Sequence, residues 1–408
     1  MSVEDLAAKT SLDVHLLRAF LRGQGAASTA KLDRVASALG IDAFALYEGK
    51  DLERALVALP RHAAREDFKH TDLPLLQSAL ECATALLEVS RLLGKSCLRE
   101  QFIASPPGAD PAEDGYHAAR VVRRVLGRRT EPLVGLPFML AERFCVPVLT
   151  VSLATTSLQA AAVRSKSTHS AAILLNDSLS CGPSAKGKQA WLVSRVSMAH
   201  ELCHILFDEP KGGVIEVVLD DVPTKAGNRP PIEQRAGAFA AELLIPSLGL
   251  QERHGDPREI DTPSKADDLV DDVRFHFRTP AEVAVNHLYN HAYVARAQDF
   301  RESLLKRAQE RDVDFPPQES SDRTDVWRSI LEERVREANE AGHIVDGTAR
   351  AILGVEPGEL LPWEDRPWIG PWGAREVPSR CECGVRLSAL RPTESSRGRR
   401  WKTRSRFR

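Results

Sequence analysis

The residues whose types and spacing could do chemistry are concentrated in MAHELCHILFD, where His200, Glu201 and His204 spell His-Glu-x-x-His. Val196, Ala199, Leu202, Ile205 and Leu206 recur there at helical spacing, so the segment Val196 to Phe207 is predicted to be a helix. At positions i and i+4 of a helix, two imidazoles project from one face and can close on a single Zn²⁺ at about 2.0 to 2.1 Å each, with Glu201 directed at the water that such an ion activates. The chemistry this predicts is metal-assisted hydrolysis with a carboxylate base.

A catalytic zinc of this kind wants a third protein ligand and an open position. Glu233 meets that need, since it begins IEQRAGAFAAELLIP, in which Ala236, Phe239, Ala240, Leu243 and Leu244 form an apolar helical face and Pro246 ends the helix. The small residues Ala236, Gly237, Ala240 and Ala241 would let this helix approach the His200 helix closely. Glu242 is the competing carboxylate, about two and a half turns further on and flanked by residues that must face the core. Cys203 is a second competitor as a thiolate, but three residues after His200 it points off the metal face.

The elements that must position these groups can be read from the rest of the 408 residues. That length allows two or three domains without staples. A net charge of -2 gives no global drive toward nucleic acid or an anionic membrane. Seven cysteines, odd in number and mostly lone in apolar stretches, fit a reducing compartment. The acidic N-terminus and the lack of a run of about 18 apolar residues lead us to expect a cytoplasmic protein with no membrane partner.

Residues 1–50 show short helical patterns separated at Gly23 and Gly40, and residues 51–103 read as a helical connector. In the connector a helix capped by Asp72 and Pro74 carries Leu76, Leu80, Ala83, Leu87 and Leu98 on one stripe. Residues 104–115 (ASPPGADPAEDG) read as a linker. Then come a helix from about Tyr116 to Leu126, a second through Leu140 and Phe144, and strands at Val146 to Val151, Ala160 to Val163, Ala171 to Leu175 and Val214 to Leu219. Thr279 and Glu282 suggest a capping box opening an ordinary helix with Val283, Val285, Leu288 and Tyr289 in its core face. Residues 311–380 should hold helices near Trp327 to Ala338 and Thr348 to Leu353, and residues 381–408 a basic, disordered tail. Cys381 and Cys383 lack a second cysteine pair with which to build a zinc site. The expected fold class is α+β, a small sheet packed on helices, preceded by an all-α module.

Two resemblances extend this reading. LAAKTSLDVHLLRAFLRGQ followed by KLDRVASALGIDAFALYEG resembles a truncated helix-turn-helix of phage-repressor-type regulators, although residues 1–50 hold six basic and six acidic side chains. AHELCHILFD followed by E-x-x-A-x-x-F-A-A-E-L-L-I-P resembles the ImmA/IrrE metallopeptidases over roughly residues 116–300, with Cys203 where the family usually has glycine. That resemblance implies a zincin-like domain over 116–310, Zn²⁺ as cofactor, His200, His204 and Glu233 as ligands and Glu201 as catalytic base. It also implies cleavage of a protein partner, a transcriptional repressor; for residues 1–50 the helix-turn-helix resemblance leaves two expectations open, contact with DNA or docking on the rest of the protein or on a partner without touching DNA. A rival from another class is a DNA- or protein-binding regulator whose metal site is structural or sensory, though such a site has no need of Glu201. His287, His291, Tyr289 and Arg195 are the candidate donors to a tetrahedral oxyanion, and their sequence positions do not choose among them.

Overall fold

The computed structural model describes residues 3–21, 73–152, 159–165, 168–177, 190–208, 215–219, 230–316, 319–356 and 359–363, with single positions at 31, 34, 35, 38, 57 and 58. The tail 381–408, Cys381, Cys383 and most of the second half of the N-terminal module lie outside the described residues. Helices α1 (Val3–Thr10) and α2 (Val14–Leu21) pair through Leu6, Ala7 and Leu17, with Val35 against them. Asp13 caps α2 by accepting from the amides of His15 and Leu16 at 2.8 and 3.0 Å.

The sheet is mixed, in the order β1 (Val57–Ala58), β5 (Ile215–Leu219), β3 (Ala160–Ser165), β4 (Ala171–Asn176), β2 (Val148–Val151). β3 runs antiparallel to both β4 and β5, while β2 and β4 are parallel, with Val148 opposite Ile173. Both faces of its middle are covered. Ala161, Val163, Ala172 and Leu174 pack on Leu76, Ala79, Leu80 and Ala83 of α3 (Leu73–Leu92), and the alternate residues Ala160, Ala162, Ile173 and Leu175 face the main core. The period of two along each strand is thus split between two helical layers. The stripe predicted on α3 holds for Leu76, Leu80, Ala83 and Leu87, but Leu98 falls in a separate 3₁₀ turn, Leu98–Gln101.

Helix α4 (Pro111–Leu126) starts five residues earlier than expected, inside the segment read as a linker. Asp110 accepts from the amides of Ala112 and Glu113, Pro111 takes the first helical position, and Gly127 closes the helix at φ 68°. What precedes it is tied down: the Ser105 amide donates to the Phe207 carbonyl at 2.9 Å, and its own carbonyl accepts from Arg235 at 2.6 Å. After α5 (Leu136–Phe144), the helices that concern the site are α6 (Ala190–Phe207) and α7 (Pro231–Leu244). Beyond them run α8 (Ser247–His254), α9 (Pro263–Phe277), α10 (Ala281–Asn290) and α11 (Gln298–Glu310). No Gly or Pro interrupts α6, whose Leu192, Met198, Ala199, Leu202, Cys203 and Leu206 are buried. The capping box expected before α10 is absent: Pro280 is the N-cap residue, and the buried Thr279 hydroxyl has no hydrogen-bond partner.

The C-terminal helices α12 (Val326–Glu340) and α13 (Asp346–Leu353) form a core with α3 and α5 through Leu86, Leu87, Ala141, Trp327, Ile330, Leu331 and Val335. Buried Arg334 of α12 donates to the Glu142 carbonyl at 2.7 Å and its carboxylate at 2.8 Å, and also to the Ser90 hydroxyl. Buried Asp322 accepts from the Gly135 amide at 3.0 Å and faces Arg195 of α6 at 3.3 Å, so residues 319–340 brace the helix that carries His200. Among the described residues no helix is long and apolar enough to cross a membrane.

Helices α4 and α7 lie close together at Gly115. A Cβ on Gly115 would stand 2.9 Å from both Ala238 Cβ and the Phe239 amide nitrogen and would overlap the Arg235 carbonyl oxygen, whereas one on Gly237 would meet nothing within 4 Å. Gly115 is thus the glycine that permits α4 to lie on α7, while Gly237, one of the small residues expected to face the His200 helix, points into open space. Gly115→Ala is expected to destabilise the protein by about 1–3 kcal/mol through overpacking, read from the midpoint of denaturant unfolding. An unchanged midpoint would show that α4 and α7 separate without cost.

Candidate metal centre

Helix α6 ends in the His-Glu-x-x-His segment and α7 begins at Pro231, so the last turns of one helix meet the first turn of the other. His200 Nε2 lies 3.0 Å from His204 Nε2 and 3.1 Å from Glu233 Oε2, and His204 Nε2 is 3.6 Å from Glu233 Oε1. Ligands at 2.0 to 2.1 Å around one tetrahedral ion stand about 3.4 Å apart, so the two imidazole nitrogens and the Glu233 carboxylate have the spacing of ligands to one ion. All three carry lone pairs that repel one another unless a proton or a cation lies between them. Glu233 sits in the first turn of α7, at the positive end of the helix dipole. Glu201, the residue after His200, is wholly buried.

Three residues missed in the sequence hold this arrangement from behind. Asp208, four after His204, accepts from His204 Nδ1 at 2.6 Å. Since a carboxylate only accepts, the proton belongs on Nδ1 and the Nε2 lone pair faces Glu233 and His200. Burial alone would raise the Asp208 carboxyl, but His204 and Arg235 outweigh it and hold it below the usual carboxylate range. Arg235 donates to the other Asp208 oxygen and to the Phe207 carbonyl, joining α7 to the end of α6. Arg164 of β3 donates to the carbonyls of His204 and Asp208 at 2.9 and 2.6 Å, placing a cation at the negative end of α6. For Asp208 the signal was available as a fourth polar residue one turn beyond His204; for Arg164 and Arg235 there was none, because their partners are remote in sequence.

The other candidates fall elsewhere. Cys203 is buried among core side chains, and burial pushes its thiol well above the ordinary value. Arg195 spends its guanidinium on Asp322 and, at 2.7 Å, on the Leu133 carbonyl. Tyr289 donates to the Arg296 carbonyl at 3.3 Å. Glu242 lies nine residues along α7 from Glu233, roughly 13 Å along the axis, and it gathers His287 and His291 of the α10 end around itself. These two histidines are therefore removed from the pair on α6. Burial lowers His291 to about 4, with the His287 charge adding to the effect. Burial would raise Glu242, but His287 and Ser247 outweigh it and hold it low.

Residues 193–289 match the family model described as the IrrE N-terminal-like domain, Peptidase M78. The match covers about a quarter of the chain, shorter than the 116–300 over which the sequence resembles the family, and it contains His200, Glu201, His204 and Glu233. A domain of this family points to a metallopeptidase role, and the described residues include His/Glu groups able to hold a metal. No curated protein matches the chain.

The Asp208 contact generates a direct test. In Asp208→Asn the charge behind His204 is lost while an acceptor remains, and zinc affinity measured by chelator competition should fall about 10- to 100-fold. An affinity equal to that of the parent would mean that Asp208 does not tune His204.

Proposed function

We propose that the chain is a zinc-dependent endopeptidase that cuts one protein partner, a transcriptional repressor, and so regulates gene expression. The observation that carries the reading is the convergence of His200, His204 and Glu233 within 3.0 to 3.6 Å, on two helices, beside a buried glutamate. A donor set of two imidazoles and one carboxylate suits zinc and leaves a coordination position open, as hydrolysis requires.

His200, His204 and Glu233 would hold the ion. A bound Zn²⁺ supplies Lewis acidity, polarising a carbonyl and lowering the pKa of a water toward about 7. Glu201 accepts the proton released from that water and returns it to the leaving amine, so one carboxylate serves as base and then as acid. Asp208 keeps His204 in the tautomer that offers Nε2, and Arg235 neutralises Asp208 in its buried position. Arg195 and Tyr289 are hydrogen-bonded elsewhere, and His287 and His291 gather around Glu242 at the other end of α7, so none of the four is assigned to the oxyanion.

Specific rather than general proteolysis is supported by the resemblance of residues 1–50 to a repressor module and by the packing of α1 on α2, which gives the chain a small helical element outside the main core. DNA contact through that element belongs to the same proposal, as does action in the cytoplasm.

Glu201→Gln should retain zinc while cleavage falls by at least about 10²-fold. The zinc-loaded full chain is incubated with a native cell extract and new protein N-termini are identified by mass spectrometry. Termini produced by the parent and absent with Glu201→Gln support the reading; termini produced equally by both, or by neither, refute it.

A further inference from the structure

The second group of metal-binding side chains lies at the far end of α7. Glu242 is on α7, His287 is on α10 and His291 is its C-cap residue. Glu242 Oε2 is 3.4 Å from His287 Nε2 and 3.6 Å from His291 Nε2. Those separations are too long for hydrogen bonds, yet they equal the edge of a tetrahedral zinc shell, about 3.4 Å for ligands at 2.0 to 2.1 Å.

Each of the three presents atoms that the protein leaves without a hydrogen bond: Glu242 Oε2, both ring nitrogens of His287, and His291 Nε2. Glu242 and His287 are 0 % and 1 % exposed, so water does not compensate these atoms. Buried polar atoms are nearly always paired, and three aimed at one point are best explained by something that binds there. The rest of the carboxylate is already engaged. Glu242 Oε1 accepts from Ser247 Oγ at 2.7 Å, from the Ser247 amide at 3.1 Å and from Arg120 Nε at 3.2 Å. That arrangement fixes the carboxylate and leaves Oε2 turned toward the histidines. The Tyr116 ring packs against both imidazoles, with centroids 5.7 and 5.1 Å away, and its hydroxyl accepts from Asn290 at 2.9 Å. His291, 18 % exposed at its side chain, gives a way in from the surface.

We propose that Glu242, His287 and His291 form a second site for a divalent transition-metal ion, of which zinc is the representative, independent of the centre at His200. Two imidazoles and one carboxylate select a borderline metal over magnesium or calcium. An ion here ties the end of α7 to α10, and so steadies the helix whose first turn presents Glu233. Arg120, beside the carboxylate, offsets part of its charge, so this site is expected to hold zinc more weakly than the first.

The test uses the full chain and zinc itself. Parent, His204→Ala, His291→Ala and the double variant are reconstituted with zinc, freed of excess, and analysed for bound metal, with circular dichroism to establish folding. The expected contents are about two, one, one and zero ions per chain. Because His291 is partly exposed and makes no side-chain hydrogen bond through Nε2, its replacement should leave the fold intact; for a second readout, added zinc should raise the melting temperature of His204→Ala but not of the double variant. The proposal is overturned if folded His204→Ala binds no zinc, or if the zinc it binds survives replacement of His291. Neither result bears on the peptidase reading, which stands or falls on Glu201→Gln.

Discussion

The buried chain Arg235–Asp208–His204 is the interaction on which the rest of the centre depends. It joins the end of α6 to the start of α7 through one carboxylate that accepts from both sides. Asp208 at 6 % and Arg235 at 3 % exposure are charges that water cannot compensate, so each requires the other. Removing one partner from such a pair typically costs about 3–5 kcal/mol. A metal centre assembled from two helices needs this kind of rigidity, since a shift of an ångström would separate Glu233 from the histidines.

The same logic of buried arginines recurs around the core. Arg164 holds the end of α6, Arg123 donates to the Leu243 carbonyl at 2.8 Å near the end of α7, Arg195 meets Asp322, and Arg334 joins α12 to α5. Each cation reaches backbone carbonyls or a carboxylate that helices and turns leave exposed inside the protein. Through Asp322 and Arg334 the residues after 311 become a structural support for α5 and α6, which gives a physical role to a region whose sequence suggested only two helices.

Helix α7 has at each end a group of residues that could hold a metal ion. Its first turn brings Glu233 to His200 and His204, and its last turn brings Glu242 to His287 and His291. Gly115 lets α4 lie directly against the stretch between them.

Much of the centre was legible from local chemistry. Period and spacing identify α6 as a helix with His200 and His204 on one face, and they place Glu233 in the first turn of α7 after Pro230 and Pro231. The buried strands β3 and β4 announce themselves as apolar runs such as AAAV and AILL. Periodicity reports which residues share a face of one element. It says nothing about which faces meet. Hence Arg235 and Arg164, whose partners lie 27 and 40 residues or more away, gave no sign, and His287 read as part of an ordinary core helix. The Thr279 capping box failed for a related reason, because Pro280 took the cap position and left the hydroxyl in the interior. The ligand types and the helices that carry them are properties of the chain taken segment by segment. The partners that orient those ligands, the bracing by residues 319–340 and the gathering of Glu242, His287 and His291 arise only when distant segments pack, since burial and pairing are set by the neighbours that folding supplies.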